Sequence, residues 1–186
     1  MPRLAVFNSI SLDGYFTDSR GDMSWAHSSD PEWNEFVAGN ASGDGTLVFG
    51  RVTYEMMAAY WPTPLAMQNN PDVAQGMNRR RKIVFSRTLG EASWSNTQLV
   101  KDDLAATIRR LKAEPGPDMA VLGSGSIVAQ LAQEGLIDGY QVALKPIVLG
   151  AGRTMFEGVT RRLDLRLTRS HAFTNGSVVL WYEPAG

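Results

Sequence analysis

Three short stretches carry residues able to grip an anion. In AVLGSGSIVAQL, residues 120 to 131, an apolar run ends in Gly123-Ser124-Gly125 and turns straight into a helical pattern. The free N–H groups at such a helix start attract negative charge. VFGRVTYE (48 to 55) has a second glycine corner: Gly50 permits close approach, Arg51 offers a planar guanidinium fork, and Thr53 can donate a hydroxyl or an amide. VFSRT (84 to 88) adds Ser86 and Arg87 after an apolar run. Hydroxyls, amides and guanidinium groups at three strand ends suit an elongated ligand with several phosphates. In open α/β sheets, ligands lie beyond the carboxyl ends of strands.

The spacing argues against two other phosphate cradles. A dinucleotide fingerprint of the Rossmann kind needs a third small residue and an acid about 20 residues on, after the next strand. Here Val128 holds the third position, and Asp138 falls before the next strand. A P-loop fails because no Lys-Ser or Lys-Thr follows the glycines. Taken alone, Gly123-Ser124-Gly125 is equally an ordinary strand-to-helix turn.

Composition narrows the classes further. The chain has 186 residues, 44% of them hydrophobic, which is room for one core and one domain over residues 1–186. A net charge of -1 gives no general attraction to nucleic acid or anionic lipid. With no cysteine and two histidines, neither a thiol nucleophile nor a metal site is expected. Asn8 and Asp13 interrupt the early apolar run, and Lys145-Pro146 breaks VALKPIVLG, so neither a secretion signal nor a membrane span is expected. The expectation is a soluble, cytoplasmic protein.

The elements that must hold these residues follow from periodicity and punctuation. RLAVFNSI reads as a first buried strand, followed by a long irregular stretch over residues 11 to 30. Asp30-Pro31-Glu32 starts a helix with Trp33, Phe36 and Val37 on one face. TLVFG is a strand running into a helix with Tyr54, Met57, Ala58 and Trp61 at helical spacing. PTPLAMQNN (62 to 70) reads as loop, PDVAQGMNRR as a short helix and RKIVFSRTL as a strand. RRRK (79 to 82) reads as a solvated corner. QLV is a strand, DDLAATIRRLKAEPG a helix stopped by Pro115-Gly116, MAVLG a strand, and SIVAQLAQEG a helix capped at Gly135. GYQVALKPIVLG reads as a strand, with Gly150, Ala151 and Gly152 as the turn after it. RLDLRLTRS and SVVLWYEP are strands joined through FTNGS, whose Asn175-Gly176 is a hairpin signal. Helices alternate with strands up to residue 135 and strands finish the chain, which predicts a mostly parallel sheet with an antiparallel edge.

The ordered set SLDGYFTD, Trp25 followed by an acid, VFGRVTYE, KIVFSRT, VLGSGSIVAQL and PIVLGAGRTMFEG resembles the dihydrofolate-reductase-like family. The nearest branch is the riboflavin-biosynthesis reductase, RibD C-terminal domain-like, with its stand-alone relatives. The match runs from Leu4 to about Tyr182. The resemblance implies an α/β, three-layer fold: a central mixed, mostly parallel sheet of about eight strands, flanking helices and a C-terminal antiparallel hairpin. It implies NADPH across the strand ends and hydride transfer to a C=N or C=O of a pterin or ribosylaminopyrimidine. The deaminase signature of His, Glu and paired Cys is missing, so this would be at most the reductase half.

By the same resemblance Gly50, Arg51 and Thr53 contact the pyrophosphate, with Arg51 also on the adenosine 2′-phosphate. Ser86 and Arg87 hold the adenosine end. Gly123, Ser124, Gly125, Ser126 and Ile127 pass under the pyrophosphate and nicotinamide ribose. Ser124 replaces a second glycine and Ser126 a basic residue, which leaves Arg87 as the second 2′-phosphate partner. On the substrate side the resemblance places Asp13 and Gly14, which equally read as a plain turn, with Trp25, Gly152 and Arg153, the last of which reads by default as a loop-surface arginine. Asp30, five residues after Trp25, is either a catalytic carboxylate or a helix cap alone. Trp33 and Trp61 read as core, His27 and His171 as surface. Dihydrofolate reduction, a non-catalytic nucleotide-binding module and a Rossmann dehydrogenase remain as alternatives. Relatives of the riboflavin type imply a homodimer and a heteroaromatic small-molecule substrate, with no nucleic acid and no membrane partner.

Overall fold

Strand β1 (Leu4–Ile10) lies inside an eight-stranded sheet because both of its faces are apolar: Leu4 and Val6 point one way and Phe7 the other. The computed structural model describes residues 1–186. Parallel partners flank β1, with β6 (Met119–Leu122) on one side and β7 (Gly139–Leu144) on the other. Beyond β6 come β3 (Thr46–Gly50), β4 (Lys82–Phe85) and β5 (Thr97–Val100), all parallel. Beyond β7 the sheet turns antiparallel through β10 (Val178–Pro184) to the edge strand β9 (Leu165–Ala172). The order β5-β4-β3-β6-β1-β7-β10-β9 is the mixed sheet with an antiparallel hairpin that the sequence predicts.

Period-two alternation splits the core into layers. Val48, Ile83, Phe85 and Val121 face helices α5 (Leu104–Ala113) and α6 (Gly125–Gln133). Leu47, Phe49 and Val84 face α1 (Pro31–Ser42), α2 (Arg51–Tyr60) and α4 (Pro71–Arg79). Asp30 caps α1 by accepting from Trp33 N at 2.9 Å, and Asp103 caps α5 by accepting from Ala106 N at 2.7 Å. The Asn175-Gly176 turn closes the C-terminal hairpin, with Gly176 N donating to Phe173 O at 3.0 Å.

Five local expectations are corrected. Residues 62 to 70 hold helix α3 (Pro64–Asn69), because Thr63 caps Ala66 N at 3.2 Å and Pro64 suits the first turn. The stretch from 11 to 30 is not irregular throughout: it contains β2 (Tyr15–Asp18) and a 3-10 turn at Ser24–Ala26. Gly152 is not in a turn but opens β8 (Gly152–Thr154), which pairs antiparallel with β2. The strands in GYQVALKPIVLG and RKIVFSRTL stop early, at Leu144 and Phe85. The RRRK corner is solvated only in part: Arg79 and Arg81 are exposed, whereas Arg80 and Lys82 are buried. Arg80 donates to Gly45 O at 2.6 Å, and Lys82 is fully buried with its Nζ on the carbonyls of Asn78, Arg80 and Ser95. These carbonyls cluster around the end of α4, where Asn96 Nδ2 also donates to Asn78 O at 3.2 Å, and a lysine stem is long enough to reach them.

Candidate active site

The strand–helix junctions β3–α2 and β6–α6 leave the sheet side by side at its carboxyl edge. Both helices begin without a side-chain cap, unlike α1 and α5, and neither has an acid in its first turn. Their first amides are therefore available to an anion. A clasp holds the two junctions in register: Gly50 N donates to Ser124 Oγ at 2.8 Å, and Ser124 N donates to Thr53 Oγ1 at 3.0 Å. Asn8, from β1, adds Nδ2 to Gly123 O at 3.2 Å. Gly123 and Ser124 both adopt left-handed backbone, φ 57° and 54°. A non-glycine residue at that geometry is strained, and the clasp is what holds Ser124 there.

A cleft of about 540 Å³ opens in front of these helix starts. It gathers Gly50, Arg51 and Thr53 from β3–α2, Ser86 and Arg87 from the end of β4, and Ser124, Gly125, Ser126 and Ile127 from β6–α6. Of the residues expected at the cofactor, only Gly123 is not on the wall; it lies beneath, where an added Cβ would sit 2.9 Å from Thr53. Arg51 also pairs with Glu55 at 2.9 Å, a half-exposed contact that a phosphate could replace.

Sequence reading missed part of the wall. Lys101 and Thr88 join Arg51 and Arg87 at the β4–β5 end, and Phe16 and Met23 close the opposite side. Lys101 follows β5 directly, so the strand-end rule that singled out Arg87 would also have found it. Phe16 had no signal, because nothing local marks β2 as the partner of β8. Asp102 and Asp103 are the acids on the wall, and the Asp103 carboxylate is engaged in capping α5. Cations outnumber free acids, which suits a polyanion.

The substrate-side expectations are more dispersed. Arg153 lies on the cleft wall, its guanidinium 6.0 Å from the Phe16 ring centroid and its Nε 3.5 Å from Glu157. Gly152 sits behind it, where an added Cβ would stand 2.0 Å from Thr17 O. Asp13 does not line the cleft and ties two loops together, accepting from Leu149 N at 3.1 Å and Gly150 N at 2.7 Å. The Ser11 hydroxyl, then those two amides, hold its carboxyl down at about 2. Gly14 forms the adjoining turn, its N donating to Ser11 O at 2.9 Å. Trp25 donates its indole to Asp22 O at 3.1 Å. Neither Trp25 nor Asp30 lines the cleft; Asp30 stands at the start of α1, near the carboxyl ends of β1 and β7.

Residues 2–179 match the profile of the RibD C-terminal domain. The chain belongs to that family. Solved structures that share its fold include three, each below 25% identity. A Shewanella sp. PV-4 protein assigned provisionally to riboflavin biosynthesis superposes with a TM-score of 0.74 at 24% identity, over 99% of both chains. The Thermotoga maritima diaminohydroxyphosphoribosylaminopyrimidine deaminase/5-amino-6-(5-phosphoribosylamino)uracil reductase gives 0.69 at 15% identity, covering 99% of this chain and 57% of that one. Dihydrofolate reductase from Enterococcus faecalis, solved with NADP(H), gives 0.66 at 16% identity over 99% and 97%. The dihydrofolate-reductase-like fold expected from the motifs is therefore the fold of this chain. No helix is long and apolar enough to cross a membrane.

Proposed function

We propose that this chain is an NADPH-dependent reductase that delivers hydride to a C=N or C=O of a heteroaromatic small molecule, a ribosylaminopyrimidine or a pterin. One observation carries the reading: two uncapped helix N-termini and Arg51, Arg87 and Lys101 converge on one cleft. The residues present fit the cofactor. The amides of α2 and α6 suit its pyrophosphate, and the cations and hydroxyls at the ends of β4 and β5 suit a 2′-phosphate. When bound, NADPH supplies the hydride, so the protein needs no nucleophile or metal. The chain's own part is to align the acceptor, exclude water and fix charge. The naming of the Thermotoga enzyme and the NADP(H) of the Enterococcus one support this class. The same reading carries a homodimer along the exposed edge strand β9.

The test is to mix the protein with NADPH and each candidate acceptor and follow loss of the reduced nicotinamide's absorbance. Oxidation that depends on one acceptor supports the reading. NADPH binding without oxidation by any candidate would favour a nucleotide-binding module instead.

The β2–β8 ribbon offers a second check. Gly152→Ala places a methyl group against Thr17 O, so the ribbon must open and carry Arg153 and Phe16 away from the cleft. The expected result is NADPH binding weakened by about tenfold, the scale of one lost charge-assisted hydrogen bond, with the main sheet intact. Unchanged affinity by titration calorimetry would separate the ribbon from the cofactor site.

A further inference from the structure

Lys145 is a buried cation that nothing above uses. It is the first residue after β7 and is 4% exposed. Its backbone N donates to Ile10 O at 2.8 Å, so it marks the point where β1 and β7 end together. The ammonium lies 3.2 Å from the centroid of the Trp33 ring and 3.3 Å from Ser177 Oγ. Burying a charge among Trp33, Ala143, Phe173 and Val179 is costly unless partners hold it.

Its partners belong to one chain of hydrogen bonds. Asn175 Oδ1 accepts from Ser177 N at 2.9 Å, and Asn175 Nδ2 donates to Ser28 Oγ at 3.2 Å. Ser28 Oγ also accepts from Asp30 N at 3.2 Å, and Asp30 caps α1. The chain thus runs from the end of β7, through the β9–β10 turn, to the start of α1. Asp30 is the acid whose charge faces Lys145. The next titratable groups are on α1 and β9, where Glu32 is already engaged by His171 at 3.1 Å and by Thr174 N at 3.2 Å. The β1, β7 and β10 ends bring no other ionisable group that acts on Lys145.

These strand ends are where an acceptor must approach, because the sheet's order of succession reverses about β1 and crevices form at such switch points. We propose that Lys145 is a positioning residue for the acceptor: as an ammonium it keeps the start of α1, with Asp30 and Trp33, closed on the ends of β1 and β7. This inference rests on reading the site as that of a reductase. Loss of the proton removes the ammonium–ring contact and the charge facing Asp30, and the start of α1 is released. Burial holds the Lys145 ammonium down at about 8, offset in part by Asp30, so the release falls within an accessible pH range.

Two measurements test it on the intact chain. The first needs no substrate. Amide and indole resonances of Asp30, Trp33 and Ser177 are followed from pH 6.5 to 9.5, a range of about 1.5 units on either side of the expected midpoint. They are expected to shift together with a midpoint near 8 in the wild type, and not to shift in Lys145→Met. Resonances that stay still in the wild type overturn the proposal whether or not the protein is a reductase.

The second is the pH profile of NADPH oxidation. In Lys145→Met, kcat/KM for the acceptor is expected to fall roughly ten- to a hundredfold through KM, with NADPH affinity unchanged and the limb near pH 8 gone. Lys145→Arg, which keeps the charge, is expected to retain most activity and to move that limb out of range. A limb unchanged in Lys145→Met overturns the role of Lys145 alone. If the resonances shift but no candidate acceptor oxidises NADPH, the reductase reading falls and the acceptor role falls with it.

Discussion

Arg51→Ala is expected to weaken NADPH binding by about ten- to a hundredfold while leaving NADH binding within a few-fold, because a hydrogen bond to a charged group contributes about 1.5–3 kcal/mol. Arg51 begins α2 on the cleft wall, and its present partner is the half-exposed Glu55 carboxylate. A phosphate, with its greater charge and bidentate geometry, replaces that contact at little cost. Arg87 and Lys101 stand on the neighbouring strand ends, so Arg87→Ala is expected to act in the same direction. Adding salt should shrink the difference between wild type and variant, since these side chains are solvent-facing. Dissociation constants for both nucleotides, measured by quenching of intrinsic fluorescence, decide the matter. Equal losses for NADPH and NADH would move Arg51 from the 2′-phosphate to the pyrophosphate. No loss for either would remove the cofactor from this cleft.

Phe49→Ala is expected to destabilise the fold by about 3–5 kcal/mol, lowering Tm by roughly 6–20 °C for a chain of this length. Phe49 is fully buried in β3, its ring 6.4 Å from Tyr54 and 6.2 Å from Trp94. Tyr54 is fixed in turn, its hydroxyl accepting from Trp94 N at 2.9 Å, so the surrounding side chains cannot collapse into the space. The next residue is Gly50, which makes this layer the floor of the cleft's first helix start. Urea unfolding should show a lower midpoint with an unchanged slope. A loss below about 1 kcal/mol would mean the cavity closes, and would contradict the rigid packing seen around Phe49.

The fold was legible in the sequence where physics acts over a few residues. Alternating apolar runs, Asp30-Pro31 and Asp103 at helix starts, and Asn175-Gly176 at the hairpin each specify their element locally. Helix α3 was misread because its first turn, Thr63-Pro64, looks like a loop until Thr63 is seen capping Ala66. In the RRRK corner charge predicts solvent, which holds for Arg79 and Arg81 but not for Lys82, whose ammonium is held inside by three backbone carbonyls.

By itself the sequence determined the succession of strands and helices, the family, and three strand ends with phosphate-binding chemistry, because each depends on residue type and short spacing. Only the tertiary structure decided that those ends share one cleft with Lys101 and Phe16. It alone paired β2 with β8 and so gave Gly152 a packing reason, and it alone set Asp13 to binding a loop. The same holds for Lys145, which reads as an interruption in VALKPIVLG. Its meaning comes from Trp33, 112 positions earlier, and Ser177, 32 later, contacts that no local pattern encodes.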